Sequence, residues 1–384
     1  MNSIQILEKL ISFDTVSSNS NLELISYCEK LLTDAGAEIT LITNKEGTKA
    51  NLFATIGPVD QPGIILSGHT DVVPVTNQKW KTNPFELTEI DNKLYGRGTA
   101  DMKSFVACAL HAASKASSMN LKIPLHFSFS YDEEIGCVGV RSLIEMLKTS
   151  SINPLFCIVG EPTSMKVMSG HKGKVNASVL IKGKEAHSAL TTKGLNSIYM
   201  ASEFIQGIQN IQTNLINNST HDNDFEVPYT TLQVGKIEGG VAVNIVPGFS
   251  SLLFEIRSLH SDDPNLLLKD IENLSEKIVK SQIDKFPDTS IEIKVISQYP
   301  ALNTIKNSEV ISFLNGLTGN NSVEKVSFGT EGGLFSKELN IQTAICGPGS
   351  MSQGHKPNEY IEKEQITLCD QMLDNLLDKL RSGL

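Results

Sequence analysis

No run in this chain comes near the roughly 18 consecutive apolar residues that a membrane-spanning helix needs, so no membrane partner is expected. The first ten residues, Met1 to Leu10, lack a basic segment and carry Glu8 and Lys9 among their apolar residues, which argues against a secretory leader. Cysteine is sparse: Cys28, Cys108, Cys137, Cys157, Cys346 and Cys369 are scattered, without a Cys-x-x-Cys pair. That spacing excludes a disulfide-stapled scaffold and reads as the reduced thiols of a cytoplasmic protein. Basic residues are outnumbered, 33 Lys and Arg against 43 Asp and Glu, for a net charge of −10. The deficit removes the electrostatic footprint of a duplex nucleic-acid binder and any general attraction to anionic lipid. Low-complexity tracts, internal repeats and a Walker-type phosphate loop are also missing.

What is present suits a globular protein. Hydrophobic residues make up 40% of the 384 positions, enough for a sizeable core. At about 150 residues per domain, two or three domains are expected. Strand-like and helix-like segments alternate in the first half. Gly63 to Gly68 is a short apolar run between glycines, and Met102 to Ser118 is Ala-rich with helical spacing. Pro124 to Tyr131 alternates like a strand, Val138 to Leu147 reads as a helix, and Leu155 to Val159 is a buried-strand candidate. This order predicts an α/β fold with a mainly parallel sheet flanked by helices.

Residues 174–296 change character. Lys174 to Lys182 alternates, with Val175, Ala177, Val179 and Ile181 on one face. A helical stretch spans residues 194–211, two strand candidates follow at 231–237 and 250–257, and a helix spans 265–281 behind Asp262, Asp263 and Pro264 as start signals. A last strand at 291–296 completes a β-α-β-β-α-β order, the split pattern of a ferredoxin-like unit. We therefore expect a discontinuous first domain, 1–173 with 297–384, interrupted by an inserted domain, 174–296.

Five acid- or histidine-bearing segments each follow a strand or open a helix. They are His69-Thr-Asp71, Asp101 within Gly96-Arg-Gly-Thr-Ala-Asp-Met-Lys103, Asp132-Glu-Glu134, Glu161-Pro162 and Gly354-His355. Taken singly, each has a bland reading: a loop-stabilising His-x-Asp, an N-cap at Asp101, a solvated acidic turn, a surface acid, a polar loop. Taken together, they would meet in the crevice at the carboxyl ends of the strands. Carboxylates crowded there repel one another unless cations are present. Asp101, Glu134 and Glu161 against two divalent metal ions leave one net positive charge, suited to stabilising hydroxide and an oxyanion. Mixed imidazole and carboxylate donors suit zinc, with cobalt possible, and disfavour calcium.

As a set, His69-Thr-Asp71, Gly96 to Lys103, Asp132-Glu-Glu134, Gly160-Glu-Pro-Thr163 and Gly354-His355 resemble the two-metal amidohydrolase and metallopeptidase family. That family includes acetylornithine deacetylases, succinyl-diaminopimelate desuccinylases, aminoacylases and glutamate-type carboxypeptidases. Gly170-His-Lys-Gly173 and the overall length are most similar to the acetylornithine deacetylase branch. The resemblance implies a zinc-peptidase-like catalytic domain with an inserted lid and dimerisation domain. It implies that His69 and Glu161 hold one metal, His355 and Glu134 the other, and that Asp101 bridges them. Asp71 would orient His69 through its carboxylate, and Glu133 would be the general base.

The same resemblance makes the chain a homodimer in which His187, in Glu185-Ala-His-Ser-Ala189, reaches a partner's active site. It assigns Asn244 and Arg257 to the substrate. Lys172 is a further candidate for a substrate carboxylate and Glu331 for a substrate ammonium. The implied reaction is hydrolysis of N2-acetyl-L-ornithine to L-ornithine and acetate, in arginine biosynthesis. Alternatives within the family are succinyl-diaminopimelate, another N-acyl amino acid, or a dipeptide. A catalytically inactive binding protein would need a broken ligand set, whereas all five ligand positions and Glu133 hold suitable residues. A two-metal phosphoesterase is the remaining reading that the ligand types alone allow.

Overall fold

In the computed structural model, which describes residues 1–384, the chain divides into two units. One comprises Met1–His171, Leu302–Val326 and Thr330–Leu384; the other comprises Lys172–Ala301 with Ser327–Gly329. The second unit takes in Lys172, Gly173 and residues 297–301, which the sequence reading assigned to the first. The strands decide this: Tyr299 pairs with Lys174 and Ser258 with Gly173, so one sheet continues to both ends of the segment.

The first unit is built on a nine-stranded sheet. Its four central strands, Leu125–Ser130, Ile64–His69, Phe156–Val159 and Gln342–Ile345, lie side by side and all parallel. Strands covered on both faces read as continuous apolar runs, and Ile64–His69 and Phe156–Val159 are buried throughout. Ile64 and Leu66 join the large apolar cluster with Phe105, Val106 and Ala109 of helix Lys103–Ala116. Ile65, between them, faces the other side of the sheet. Helix Lys103–Ala116 packs against helices Ser3–Ile11, Leu22–Asp34 and Lys363–Ser382 as well as strand Ile64–His69. Its small residues Ala107, Ala109, Ala112 and Ala113 let that many neighbours approach. Antiparallel strands Ala50–Ile56 and Glu38–Thr43 extend one side of the sheet, and Val167–His171 and Leu302–Asn303 the other. All six cysteines are buried and unpaired. No helix is long and apolar enough to cross a membrane.

One buried base in this sheet sets an acid limit on stability. His126 is 2% exposed, stacks on Phe53 and shares a hydrogen with Thr55 Oγ1 at 2.9 Å, while its Nε2 has no partner. Burial pushes its pKa down to about 4. The unfolded chain takes up this proton near pH 6.5 and the folded chain only near 4. The stabilisation is therefore complete above the unfolded value and falls as pH drops through that window, by on the order of 3 kcal/mol. His126→Gln is expected to flatten the decline of the thermal midpoint between about pH 6.5 and 4.5 in chelator-treated protein. An unchanged slope would assign the acid loss to other groups.

The second unit is a four-stranded antiparallel sheet in the order Thr231–Gly239, Phe249–Ser258, Gly173–Lys182, Ser290–Tyr299. Helices Ser197–Asn218 and Pro264–Lys280 pack on it, so its chain order is the expected β-α-β-β-α-β. Val175, Ala177, Val179 and Ile181 are buried against those helices, alternating with Lys174, Asn176, Ser178 and Lys182. Asp263 caps the second helix by accepting from Asn265 N at 2.9 Å, with Pro264 at its first position. Asp262 instead accepts from the Thr230 hydroxyl. The first helix starts at Ser197, capped by Asn196, and runs seven residues past the expected end. The polar residues Gln212, Thr213, Asn214, Asn217 and Asn218 blur the apolar period there.

Candidate active site

The four parallel strands deliver their following residues to one end of the first unit. His69 closes strand Ile64–His69, Asp132–Glu134 follows Leu125–Ser130, Glu161 follows Phe156–Val159, and His355 lies in the loop after Gln342–Ile345. That is the end at which open α/β sheets bind ligands. Asp101 enters from the turn before helix Lys103–Ala116. Met102, not Asp101, is that helix's N-cap, and no side chain caps it; the Asp101 carboxylate is turned toward the imidazoles.

Asp101 Oδ1 lies 3.0 Å from His69 Nε2, and Oδ2 lies 3.1 Å from His355 Nε2. Glu161 Oε1 is 3.7 Å from His69 Nε2, and Glu134 Oε2 is 3.0 Å from His355 Nε2. Two groups of donors thus share one carboxylate: His69, Asp101 and Glu161 on one side, His355, Asp101 and Glu134 on the other. Zinc bonds of about 2.0–2.2 Å in a tetrahedron separate nitrogen and oxygen donors by about 3.3 Å, which falls inside the observed spread. Ligand atoms of His69, Asp101 and Glu134 lie within 4.8 Å of one another, as do those of His69, Glu133 and Glu161. Glu134 Oε1 is buried without any hydrogen-bond partner, as a cation ligand would be. On these grounds the donors fit divalent metal.

The charges point the same way. Burial, with the like charge of neighbouring carboxylates, pushes Glu133 up to about 8 and Glu134 up to about 7, and raises Glu161 well above the carboxylate range. Hydrogen bonds to Asp101 and Glu134 push His355 up to about 10. His69 is raised against its burial by Asp101 and Glu161, and Asp101 is held low against its burial by both imidazoles. Protons on the histidines can balance the carboxylates. Divalent cations would take over that balance and release them.

Asp71 acts differently from the expectation. The Nδ1 of His69 is 2.9 Å from the Asp71 backbone oxygen, with the carboxylate farther away at 3.6 Å. The carboxylate instead accepts from Glu133 N at 3.0 Å, Glu134 N at 3.3 Å and Ser17 Oγ at 2.6 Å. A carboxylate has lone pairs enough to accept from both N–H groups of the Asp132–Glu134 turn at once. Asp71 therefore orients His69 by its carbonyl and the acid pair by its side chain. Lys49 Nζ, 2.5 Å from Asp132 Oδ1, steadies the same turn at a residue with φ of 56°. Ser17 and Lys49 carried no spacing signal that could single them out from the sequence.

Glu331 also departs from expectation. It is 1% exposed, and its oxygens are held by the hydroxyls of Ser130 and Ser67. Burial pushes it up to about 7. With both oxygens engaged below the surface, it offers no face to a substrate ammonium, and we assign it to the support beneath the site.

The remaining candidates lie in the second unit. His187 is exposed, and its Nδ1 accepts from Ala189 N at 3.1 Å. Asn244 is exposed, and its backbone oxygen accepts from Ser188 N at 3.0 Å. The Arg257 guanidinium is half-buried, paired with Glu255 at 2.8 Å and within 3.3 Å of the Tyr299 hydroxyl. Lys172 is buried and donates to the Tyr229 carbonyl at 2.6 Å; burial, and then Arg257, lower its pKa.

Comparison with known proteins settles the family. Residues 65–379 match the family described as Peptidase family M20/M25/M40. The chain belongs to this family. It is 34% identical over 372 residues to an acetylornithine deacetylase of Myxococcus xanthus, covering 96% of this chain and 94% of that one. It is also 34% identical over 388 residues to an acetylornithine deacetylase of Pasteurella multocida, covering 99% and 98%. Among solved structures, an M20 family metallo-carboxypeptidase from Sulfolobus solfataricus shares the fold with a TM-score of 0.81 at 19% identity, over 100% of both chains. As a member of the M20 family, the chain is a metal-dependent amidohydrolase.

Proposed function

We propose that this M20 enzyme hydrolyses the amide of an N-acylated α-amino acid, N2-acetyl-L-ornithine foremost. The observation that carries the reaction class is Asp101, with one carboxylate oxygen on each imidazole. Full-length similarity to acetylornithine deacetylases supports the substrate. His69, Asp101 and Glu161 would hold one divalent cation, and His355, Asp101 and Glu134 the other, with zinc preferred and cobalt next. Bound there, such a pair supplies Lewis acidity to the amide carbonyl and makes water acidic enough to attack near neutral pH.

Glu133 accepts the proton of the attacking water as its oxygen bonds to the amide carbon. It returns that proton to the nitrogen as the C–N bond breaks, so that acetate and the amine of ornithine depart. In the inserted unit, Arg257 and Lys172 would supply positive charge for the α-carboxylate, Arg257 after exchanging its bidentate contact with Glu255 for the substrate. His187 and Asn244 complete the site of a partner subunit in a homodimer formed through that unit, His187 donating to the developing oxyanion. This reading places the enzyme in the cytoplasm, in arginine biosynthesis.

A panel of substrates with added zinc or cobalt tests it. The kcat/KM for N2-acetyl-L-ornithine is expected to exceed those for acetylmethionine, succinyl-diaminopimelate and a dipeptide by about tenfold or more, the scale on which a site discriminates between side chains, with p-nitrophenyl phosphate inert. Preference for succinyl-diaminopimelate or a dipeptide would overturn the substrate and keep the reaction class. Preference for the phosphate ester would overturn both.

A further inference from the structure

Of the proposed ligands, His355 is the exception: its side chain is 50% exposed, whereas those of His69, Asp101, Glu134 and Glu161 are at most 7% exposed. It sits at φ 61° in a loop far along the chain from the others. A relay of buried polar groups ties this loop to Asp101. Glu359 is 1% exposed and accepts from the backbone N–H groups of Gly98, Ala100 and Asp101 at 3.1, 2.8 and 3.0 Å. The same carboxylate takes Arg97 Nη1 at 2.6 Å. Arg97 is itself 1% exposed, with its guanidinium carbon 5.1 Å from the centre of the Trp80 ring. Its Nη2 donates to Gln78 Oε1 at 2.7 Å, an oxygen that also accepts from Trp80 Nε1 at 3.1 Å. Gln78 Nε2 then donates to the His355 carbonyl at 3.1 Å, and nearby Lys81 N donates to Asn358 Oδ1 at 2.7 Å.

Both ends of this relay touch residues that hold the shared and the exposed ligand. We infer that Gln78, fixed by Arg97 and Glu359, is a positioning residue that sets the reach from the Asp101 carboxylate to the His355 imidazole, and so the affinity of one of the two cation sites. The buried, planar guanidinium puts one Nη on Glu359 and the other on Gln78, fixing the two relative to each other, and Gln78 extends this by one side chain to a loop that burial does not hold. The inference rests on the two-cation reading above. His69 and Glu161 have no part in the relay, and Asp101, which both sites share, is held by Glu359 whatever stands at position 78, so the relay's free end at Gln78 bears on the His355 side.

Gln78→Glu keeps the acceptor for Arg97 and Trp80 and removes the donor to His355 while adding a negative charge, so it is paired with a neutral variant. Gln78→Met, of similar length, removes both. Gln78 is half-buried, and the thermal midpoint of chelator-treated protein checks that each variant folds. Zinc is titrated into stripped protein in competition with a chromophoric chelator. The parent is expected to show two binding events. In both variants one of them is expected to weaken by about tenfold or more while the other changes less than about twofold, the scale on which supports of metal ligands act. Two events in the parent with neither weakened in the variants, or both weakened alike, would overturn the positioning role and leave the two-cation reading standing. Fewer than two events in the parent would overturn that reading and the relay's role with it.

Discussion

Glu133→Gln is expected to lower kcat by about 10²- to 10⁴-fold, the usual contribution of a positioned general base, while both cations remain bound. Glutamine keeps the shape of the side chain and the Asp71 contact to the residue-133 backbone N–H, but it cannot accept the proton of water. The Glu133 carboxylate stands beside the donor groups, and its Oε1 takes the weak Cys137 thiol at 3.2 Å. It shares no contact with His355, and Glu161 and Glu134 occupy the carboxylate places beside the two imidazoles. The competing role is as a ligand, because its oxygen clusters with His69 and Glu161 within 4.8 Å. Metal analysis separates the two: a variant that loses turnover together with one cation would make Glu133 a ligand. Turnover near the parent rate would remove it from the base role.

Stripping the metal is expected to bring hydrolysis to background, with zinc or cobalt restoring it and magnesium or calcium failing to. Hard cations prefer all-oxygen shells, whereas each donor group here includes an imidazole. Stability should fall as well. A ligand at 100 times its Kd stabilises the folded state by about 2.7 kcal/mol, so the stripped enzyme should melt several degrees lower and recover with the metal. Full activity in protein shown by elemental analysis to be metal-free would end the proposed chemistry.

The legible part of this molecule was the part written in short-range pattern. The buried runs at 64–66 and 155–159 and the alternation of Val175 to Ile181 are period signals, and each became the strand it implied, the second beginning at Phe156. Four of the site segments were legible because each lies beyond such a strand, where chain direction sends it to the crevice; Asp101 was legible from its place just before an Ala-rich helix. Long-range hydrogen bonding was not legible. Nothing near Asp71 says that its carboxylate will take the N–H groups of residues 133 and 134, and nothing near Glu359 says that it will gather those of residues 98, 100 and 101. Those partners are 62 and 261 residues away in the chain and are brought together only by the folded sheet. Glu331 misled for the same reason: its charge made it a candidate partner for a substrate ammonium, and only packing shows Ser67 and Ser130 holding it. The domain edges at 172 and 301 were set by strand pairing that continues past the change in composition.

Anomalous diffraction at the zinc absorption edge, on crystals of zinc-loaded protein, puts the shared carboxylate to the most direct test. Two peaks are expected, each at a bonding distance of about 2.0–2.2 Å from a different oxygen of Asp101, one also on His69 and Glu161 and the other on His355 and Glu134. A lone peak, or a pair that leaves Asp101 out of both coordination shells, would contradict it.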